Sequence, residues 1–356
     1  MKYIGILLNN NVFRGIPYGK TRYENLSFYE EAAKLHGLTP CYFRLKDIKP
    51  DMKEVTAYVK GNSAKYKKKS IPMPKVIHNR GMYFARKHKN QLESLVEQGF
   101  IVFNQWNRYR KSNVHRILIK YDELIENLPE TRKATEDNIK QMLSRYSNLI
   151  LKPDNGSLGY GVMKMEKQGN ENLLIILKSK EKDSLKIPFT EKIPKELKNI
   201  ISSNNYILQE YIPLATYKGN PFDLRVSCQK NHSGQWQVTG IVGKVARDDS
   251  FITNVAGGGT SYQLGILLQD TMLDEKTVIN GIEQVSLRIV KVLEEHLPGL
   301  ADVGLDMGIT AEGIIKFIEC NGRDLRVTFR NANMDDTWKN THSTPIGYGK
   351  FLLDRR

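Results

Sequence analysis

The apolar run Leu149-Ile150-Leu151 leads directly into Lys152-Pro153 and then Gly156, Gly159 and Gly161, and no other stretch constrains the chain as much. A lysine at a strand end, followed by glycines two or three residues apart, suits anion binding. Backbone N–H groups turn freely toward a phosphate where no side chain intervenes. No Gly-Lys-Ser/Thr follows, so this is not a Walker loop. Much later comes Ile318-Glu319-Cys320-Asn321-Gly322, where a carboxylate and an amide two residues apart share one strand face. A cation and glycine loop for phosphates, then hard oxygen donors of the kind magnesium prefers, together imply a nucleotide site.

Register sharpens that expectation. Val303, Leu305, Met307 and Ile309 alternate, Ala311-Glu312-Gly313 makes a turn, and the chain returns from Ile314 to Asn321. A four-residue loop, 310–313, predicts Asp306 opposite Phe317 and Gly304 opposite Glu319. Asp306, Glu319 and Asn321 then share one face, while Leu305, Ile309, Ile314, Ile318 and Cys320 share the other. Cys320 is expected as a small buried hydrophobe, not a nucleophile.

Residues 1 to about 110 predict an α/β unit. Tyr3 to Leu8 is a continuous apolar strand of the kind buried on both faces. A helical pattern from Phe28 stops at Gly37; strands follow at 41–45, 75–79 and 100–104, with a helix at 91–98. This alternation argues for a mainly parallel open sheet. No Gly-x-Gly-x-x-Gly follows the first strand, which argues against a dinucleotide site there. Helices are expected at 111–124 and 135–146, and strands at 206–212, 222–227 and 238–246. Gly257, Gly258 and Gly259 mark a mobile loop by composition. Val278, Ile282, Val285, Ile289 and Val292 recur at the spacing of one buried helix face.

The length of 356 residues exceeds one ordinary domain, and 40% hydrophobic with 26% charged residues fits a globular protein. No apolar run approaches a membrane span, and the block Ile4 to Leu8 is too short for a signal-peptide core. Three scattered cysteines indicate neither a disulfide framework nor a zinc cluster, so a reducing cytoplasm is the expected location. The net charge of +15 favours anionic partners. Its densest runs, Lys65-Tyr66-Lys67-Lys68-Lys69 and Arg86-Lys87-His88-Lys89, read as a solvated face or loop. They show no aromatic-interleaved recognition module, so nucleic acid is not the expected partner.

The order of motifs resembles the ATP-grasp superfamily. Within it, Asn104, Trp106-Asn107, Lys111, His115, Leu128-Pro129-Glu130-Thr131, the Lys152 to Gly161 segment and Gln209-Glu210-Tyr211-Ile212 are similar to the YheC/YheD group of spore-coat-associated proteins. So are Phe222-Asp223-Leu224-Arg225-Val226, residues 247–259 and Asp306 with Glu319-Cys320-Asn321-Gly322. The resemblance implies an α/β and α+β architecture in which two α+β subdomains clamp ATP behind a Rossmann-like N-terminal domain. The expected division is residues 1–110, then 111–356, with a lid at about 149–212 and a large subdomain at 213–330.

It also implies roles. Lys152 holds phosphates, Gly156, Ser157, Gly159 and Gly161 form the phosphate lid, and Gln209, Glu210, Tyr211 and Ile212 form the adenine hinge. Lys111 is a second nucleotide lysine. Arg225 and Arg247 act on the transferring phosphoryl group, although an exposed arginine paired with Asp248 or Asp249 is the competing account of Arg247. Asp306, Glu319 and Asn321 bind Mg2+. The implied reaction joins a carboxylate to an amine through an acyl phosphate, with ATP and Mg2+ required and a tie to spore formation or the spore coat. No motif names either substrate, and Arg323, Arg326 and Arg330 are only pointers to an acidic acceptor. A nucleotide-binding coat component with little catalysis, a phosphotransferase, and a nucleic-acid binder with steeply salt-dependent affinity are the competing readings.

Overall fold

The structure, a computed structural model, describes residues 2–49, 51–61, 65–156, 159–169, 171–176, 185–190, 192–203, 205–247, 253 and 258–355. Among these residues three six-stranded sheets follow one another along the chain. The first contains β1 (Tyr3–Leu7), β2 (Thr39–Phe43), β3 (Glu54–Lys60), β4 (Tyr66–Pro72), β5 (Val76–Asn79) and β6 (Ile101–Phe103), in the spatial order β4-β3-β2-β1-β5-β6. Strands β2, β1, β5 and β6 are parallel, as the alternation predicts. Strands β3 and β4 were not expected, and they extend the sheet in antiparallel fashion. The lysine run is therefore the edge strand, with Lys67, Lys68 and Lys69 exposed. Charge on both faces of an edge discourages pairing with another chain, and it also hides the strand from a search for alternating apolar residues.

The second sheet is antiparallel throughout: β7 (Thr131–Lys133), β8 (Asn148–Pro153), β9 (Met163–Gln168), β10 (Glu171–Ile176), β11 (Leu185–Phe189) and β12 (Tyr206–Glu210), in the order β11-β10-β9-β8-β12-β7. Its core draws on Leu149, Leu151, Met163, Met165 and Leu208, and on Ile139 and Met142 from the helix Glu136–Leu143. Thr135 caps that helix through the Asn138 N–H, at 3.2 Å.

In the third sheet the path runs β16 (Thr260–Tyr262), β15 (Trp236–Val245), β14 (Asn220–Lys230), β17 (Asp302–Ile309), β18 (Ile315–Asn321), with β13 (Thr216–Tyr217) on β14. The helix Glu275–His296 covers one face, burying Val278, Ile282, Val285, Ile289 and Val292 as their spacing predicts. The opposite face carries the polar residues described below. The C-terminal helix Asp335–Asp354 returns to the first sheet, where Ile346 joins the core of Ile4, Ile6 and Tyr29. Among the described residues no helix is long and apolar enough to cross a membrane.

The β17–β18 register differs from expectation. Ile309 pairs with Ile315 and Met307 with Phe317, but Asp306 pairs with Glu319 and Gly304 with Asn321. Ile318 is thus an extra, bulged residue. It leaves the core face, where Phe317 takes its place, and Ile314 is 49% exposed in the turn. Asp306, Glu319 and Asn321 still share a face, because the bulge shifts the pairing between Met307 and Asp306 and leaves their own alternation intact.

Candidate functional site

A cavity of about 890 Å³ lies between the second and third sheets. From the second sheet come Ile150 and Lys152 of β8 and Gln209 to Ile212 at the end of β12; from the third come Asp223, Lys244, Asp306 and Glu319. Lys152 and Gln209 project from neighbouring strands, and the lysine Nζ donates to Gln209 Oε1 at 2.7 Å. Gln209 Nε2 donates in turn to Thr131 Oγ1 at 2.9 Å. Burial pulls the Lys152 pKa down to about 8, against the opposing pull of Glu319, Asp223 and Asp306.

Gly156, Gly159 and Tyr160 line the same cavity. Gly159 and Gly161 have φ of +74° and +72°, the left-handed region that favours glycine. A Cβ on Gly161 would also lie 2.8 Å from the Tyr206 hydroxyl. Ser157 falls outside the described residues. Glu210 Oε2 accepts from the Glu130 N–H at 2.9 Å, which fastens β12 to the segment before β7. The Tyr211 ring carries Lys164 4.4 Å from its centroid.

The third sheet presents an interlocked charge array. Arg225 on β14 is directly opposite Asp306 on β17, which is opposite Glu319 on β18. Arg225 Nε donates to Asp306 Oδ1 at 2.9 Å, and its Nη1 donates to Asp324 Oδ1 at 2.9 Å. Lys244 on β15 bridges Asp306 at 2.9 Å and Asp223 at 3.1 Å. Thr253 Oγ1 donates to Asp223 Oδ2 at 2.6 Å. Burial alone would raise the Asp306 pKa, but Arg225 and Lys244 hold it far below the usual carboxylate range. Burial raises Asp223 despite Lys244. Asn321 Nδ2 donates to Asp306 Oδ2 at 3.0 Å and to Glu319 Oε1 at 3.4 Å. Turned over, that amide would set an oxygen beside two carboxylates, a hard donor set suited to magnesium.

Lys111 begins the helix Lys111–Leu118 and closes the cavity between the two sheets. Its Nζ lies 3.1 Å from Glu319 Oε2 and donates to the Gly156 carbonyl at 2.9 Å. Asp154 fixes the helix start by accepting from the Ser112 N–H and Oγ, both at 2.8 Å.

Most of the residues singled out in the sequence meet here; Gly161 does not line the cavity, Arg225 and Asn321 are joined to it through Asp306, and Arg247 does not line it either. It is exposed just beyond β15, near Gly258, where a Cβ would lie 3.6 Å from its Cδ. Asn254 and Gly257 of its expected loop, with Asp248 and Asp249, lie outside the described residues. Arg326 is buried in an ion cluster with Asp302, and Arg330 packs over the Trp338 ring at 5.3 Å; only Arg323 of the three arginines faces a cavity. Sequence reasoning missed Lys244 and Asp324. Lys244 was hidden in a run read simply as strand, although a lysine between Gly243 and Val245 on a buried strand is itself a signal.

A family model described as YheC/D-like ATP-grasp matches residues 99–352. The chain is 25% identical over 297 residues to endospore coat-associated protein YheD of Bacillus subtilis (strain 168), covering 82% of this chain and 65% of that protein. It thus spans less than two thirds of that relative's length. It is 23% identical over 324 residues to endospore coat-associated protein YheC of the same organism, covering 87% of each. Among solved structures, ATP-grasp ligase PsnB complexed with a phosphomimetic variant of minimal precursor, Mg and ADP matches with a TM-score of 0.52 at 14% identity. That match covers 100% of this chain and 99% of the other, and at such identity it speaks for the fold. The fold is therefore ATP-grasp, as the order of motifs implied, and the chain belongs to the YheC/D-like ATP-grasp family.

Proposed function

We propose that the chain is an Mg-ATP-dependent ligase that joins a carboxylate to an amine through an acyl phosphate. What supports this reading is one observation: Lys152 and Lys244 converge with Asp306 and Glu319 around a single cavity bounded by the β12 end, with Arg225 paired to Asp306. The main chain of residues 209–212 and the apolar side chains of Ile150 and Ile212 would hold the base. Lys152 and Lys111 would neutralise phosphates, with the backbone of the glycine loop closing over them. Asp306, Glu319 and Asn321 would hold magnesium, which when bound would offset phosphate charge. Arg225 and Lys244 then carry two duties. They keep Asp306 ionised and add positive charge where the phosphoryl group transfers; Arg247 remains a candidate for the same group from the exposed side.

The γ P–O bond to ADP breaks as a P–O bond to the substrate carboxylate forms. The amine nitrogen next attacks the acyl carbon, the C–O bond to phosphate breaks, and the amine loses a proton. Positioning and charge neutralisation suffice, with no protein nucleophile. Cys320 fits that absence, since burial pushes its thiol up to about 12. The relatives' names, endospore coat-associated proteins, support a link of the proposed activity to spore formation or the spore coat.

The test is ADP release from Mg-ATP by the purified chain, supplied with pools of amino acids, small peptides and wall-derived acids. Release that depends on one pool and falls about 100-fold or more in Glu319→Ala is the expected result. Nucleotide binding with silence across every pool favours a coat component that keeps the fold with little catalysis. No nucleotide binding at all sinks the ligase reading.

A further inference from the structure

A second cavity, about 840 Å³, adjoins the first through Lys111, Gly156 and Glu319. Its outer wall comes from the first sheet, at a point fixed by topology. Strands β1 and β5 are parallel neighbours, yet the chain leaves β1 toward β2 on one side and β5 toward β6 on the other. The crevice beyond the carboxyl ends of strands at such a reversal is a natural ligand site. Here the loop after β5 supplies Met82 and Phe84 to the cavity. Asn9, two residues past β1, fixes that loop: its Oδ1 accepts from the Met82 N–H at 2.9 Å and its Nδ2 donates to the Met82 carbonyl at 3.0 Å. The same Oδ1 accepts from Arg323 Nη1 at 2.9 Å. Gly322 lets β18 approach so closely that a Cβ there would lie 2.7 Å from the Asn107 backbone.

The charge of this cavity is lopsided. Among the described residues its one lining carboxylate is Glu319, which Lys111 already engages. Arg108 and Arg323 also line it, and neither makes an ion pair with a described carboxylate. Arg108 lies 4.3 Å over the Phe84 ring and donates to the Asn155 carbonyl at 3.0 Å. Arg323 lies 5.1 Å over the Tyr23 ring, and its buried Nε has no hydrogen-bond partner among the described residues. A guanidinium with no described carboxylate in ion-pair contact, beside apolar walls, is a fork set for a planar anion. Phe84, 68% exposed, and Tyr109 offer an apolar span between these arginines and the Glu319 end.

We propose that this second cavity binds the acceptor of the ligase reading, and that the acceptor is a short acidic peptide with two carboxylates. One carboxylate reaches the end shared with the nucleotide cavity, and the other is held by Arg108 and Arg323. The assignment rests on the first cavity being the nucleotide site, so the test reads the two separately.

The experiment is calorimetric titration of the full chain with phenylalanyl-glutamate and with phenylalanyl-glutamine, in magnesium and a non-hydrolysable ATP analogue. The analogue is also titrated alone. The acid is expected to bind about tenfold tighter than the amide, the worth of one charge-assisted bond. Arg323→Gln and Arg108→Gln each abolish that preference, whereas Phe84→Ala, an exposed change without folding risk, weakens both peptides alike. Equal affinity for acid and amide, no binding of either, or a preference that survives both arginine variants overturns the proposal. Loss of analogue binding with the acid preference intact instead sinks the ligase reading and supports the anion site.

Discussion

The ammonium of Lys152 is held by opposing forces: burial draws its pKa from 10.5 to about 8, while Glu319 and the two aspartates favour the charged form. Between about 8 and 10.5 the unfolded chain binds this proton and the free folded chain does not, so the lysine's contribution to stability rises with pH across that window. Nucleotide phosphates favour the charged form and restore the proton. Binding in that window is therefore expected to take up a proton, and affinity to weaken toward tenfold per pH unit above about 8. Titration near pH 9 in two buffers of different ionisation enthalpy measures the uptake, which Lys152→Arg removes. Proton-neutral binding by the wild type would contradict this account.

At the scale of strands, the array depends on an absent side chain. Gly304 lies on fully buried β17, and a Cβ there would lie 2.6 Å from Asp324 Oδ1 and 2.9 Å from Arg225 Nη1. Asp324 is fully buried and also accepts from Ser227, so it has nowhere to move. Gly304→Ala is expected to cost about 1–3 kcal/mol of unfolding free energy and to reduce turnover by forcing Arg225 off Asp306. Gly281→Ala in the helix Glu275–His296 is the matched control. The nearest atom to its Cβ would be 3.6 Å away, so that change should be neutral or stabilise by about 0.5–1 kcal/mol. Urea unfolding of both variants, read beside ADP release, checks the pair. Equal effects would mean that the Arg225–Asp324 contact is not the determinant.

Across the whole molecule, the first and third sheets meet through a buried polar cluster. Arg80 donates to Glu24 at 2.9 Å and to the Asp324 carbonyl at 2.7 Å, Arg326 pairs with Asp302, and His78 Nε2 lies 3.0 Å from Asp302 Oδ2. Against burial, Arg80 and Arg326 hold Glu24 down at about 2. Burial lowers His78 to about 4 and His342 to about 3, so both are neutral in the folded chain at pH 7. From an unfolded value of 6.5 downward, the unfolded chain binds these protons and the folded chain does not. Stability is thus expected to drop by about 1.4 kcal/mol per histidine for each unit of acidification between about pH 6.5 and 4. Denaturant unfolding at successive pH values measures the slope, and His342→Gln should make it shallower by about 1.4 kcal/mol per pH unit. A flat profile over that range would contradict neutral histidines.

The sequence alone was enough for features that depend on near neighbours. The helix Glu275–His296 is written in the spacing of Val278 to Val292, and β1 in its unbroken apolar run. Lys152 with its glycines, and Glu319 with Asn321, are legible because chemistry and spacing coincide within a few residues. The ATP-grasp fold followed from the order of such motifs. Long-range packing decided the rest. The Ile318 bulge arises only when β18 is laid against β17, and it turns an expected core residue into a cavity wall. Lys244 acquires meaning from Asp223 and Asp306, 21 and 62 positions away in the chain, and Asp324 from Arg225. Arg247 lies outside the cavity for the converse reason: a motif position names a residue, but burial and partners determine where its charge goes. Local periodicity is fixed by backbone geometry, whereas register, ion pairing and the meeting of sheets are fixed by which surfaces exclude water together.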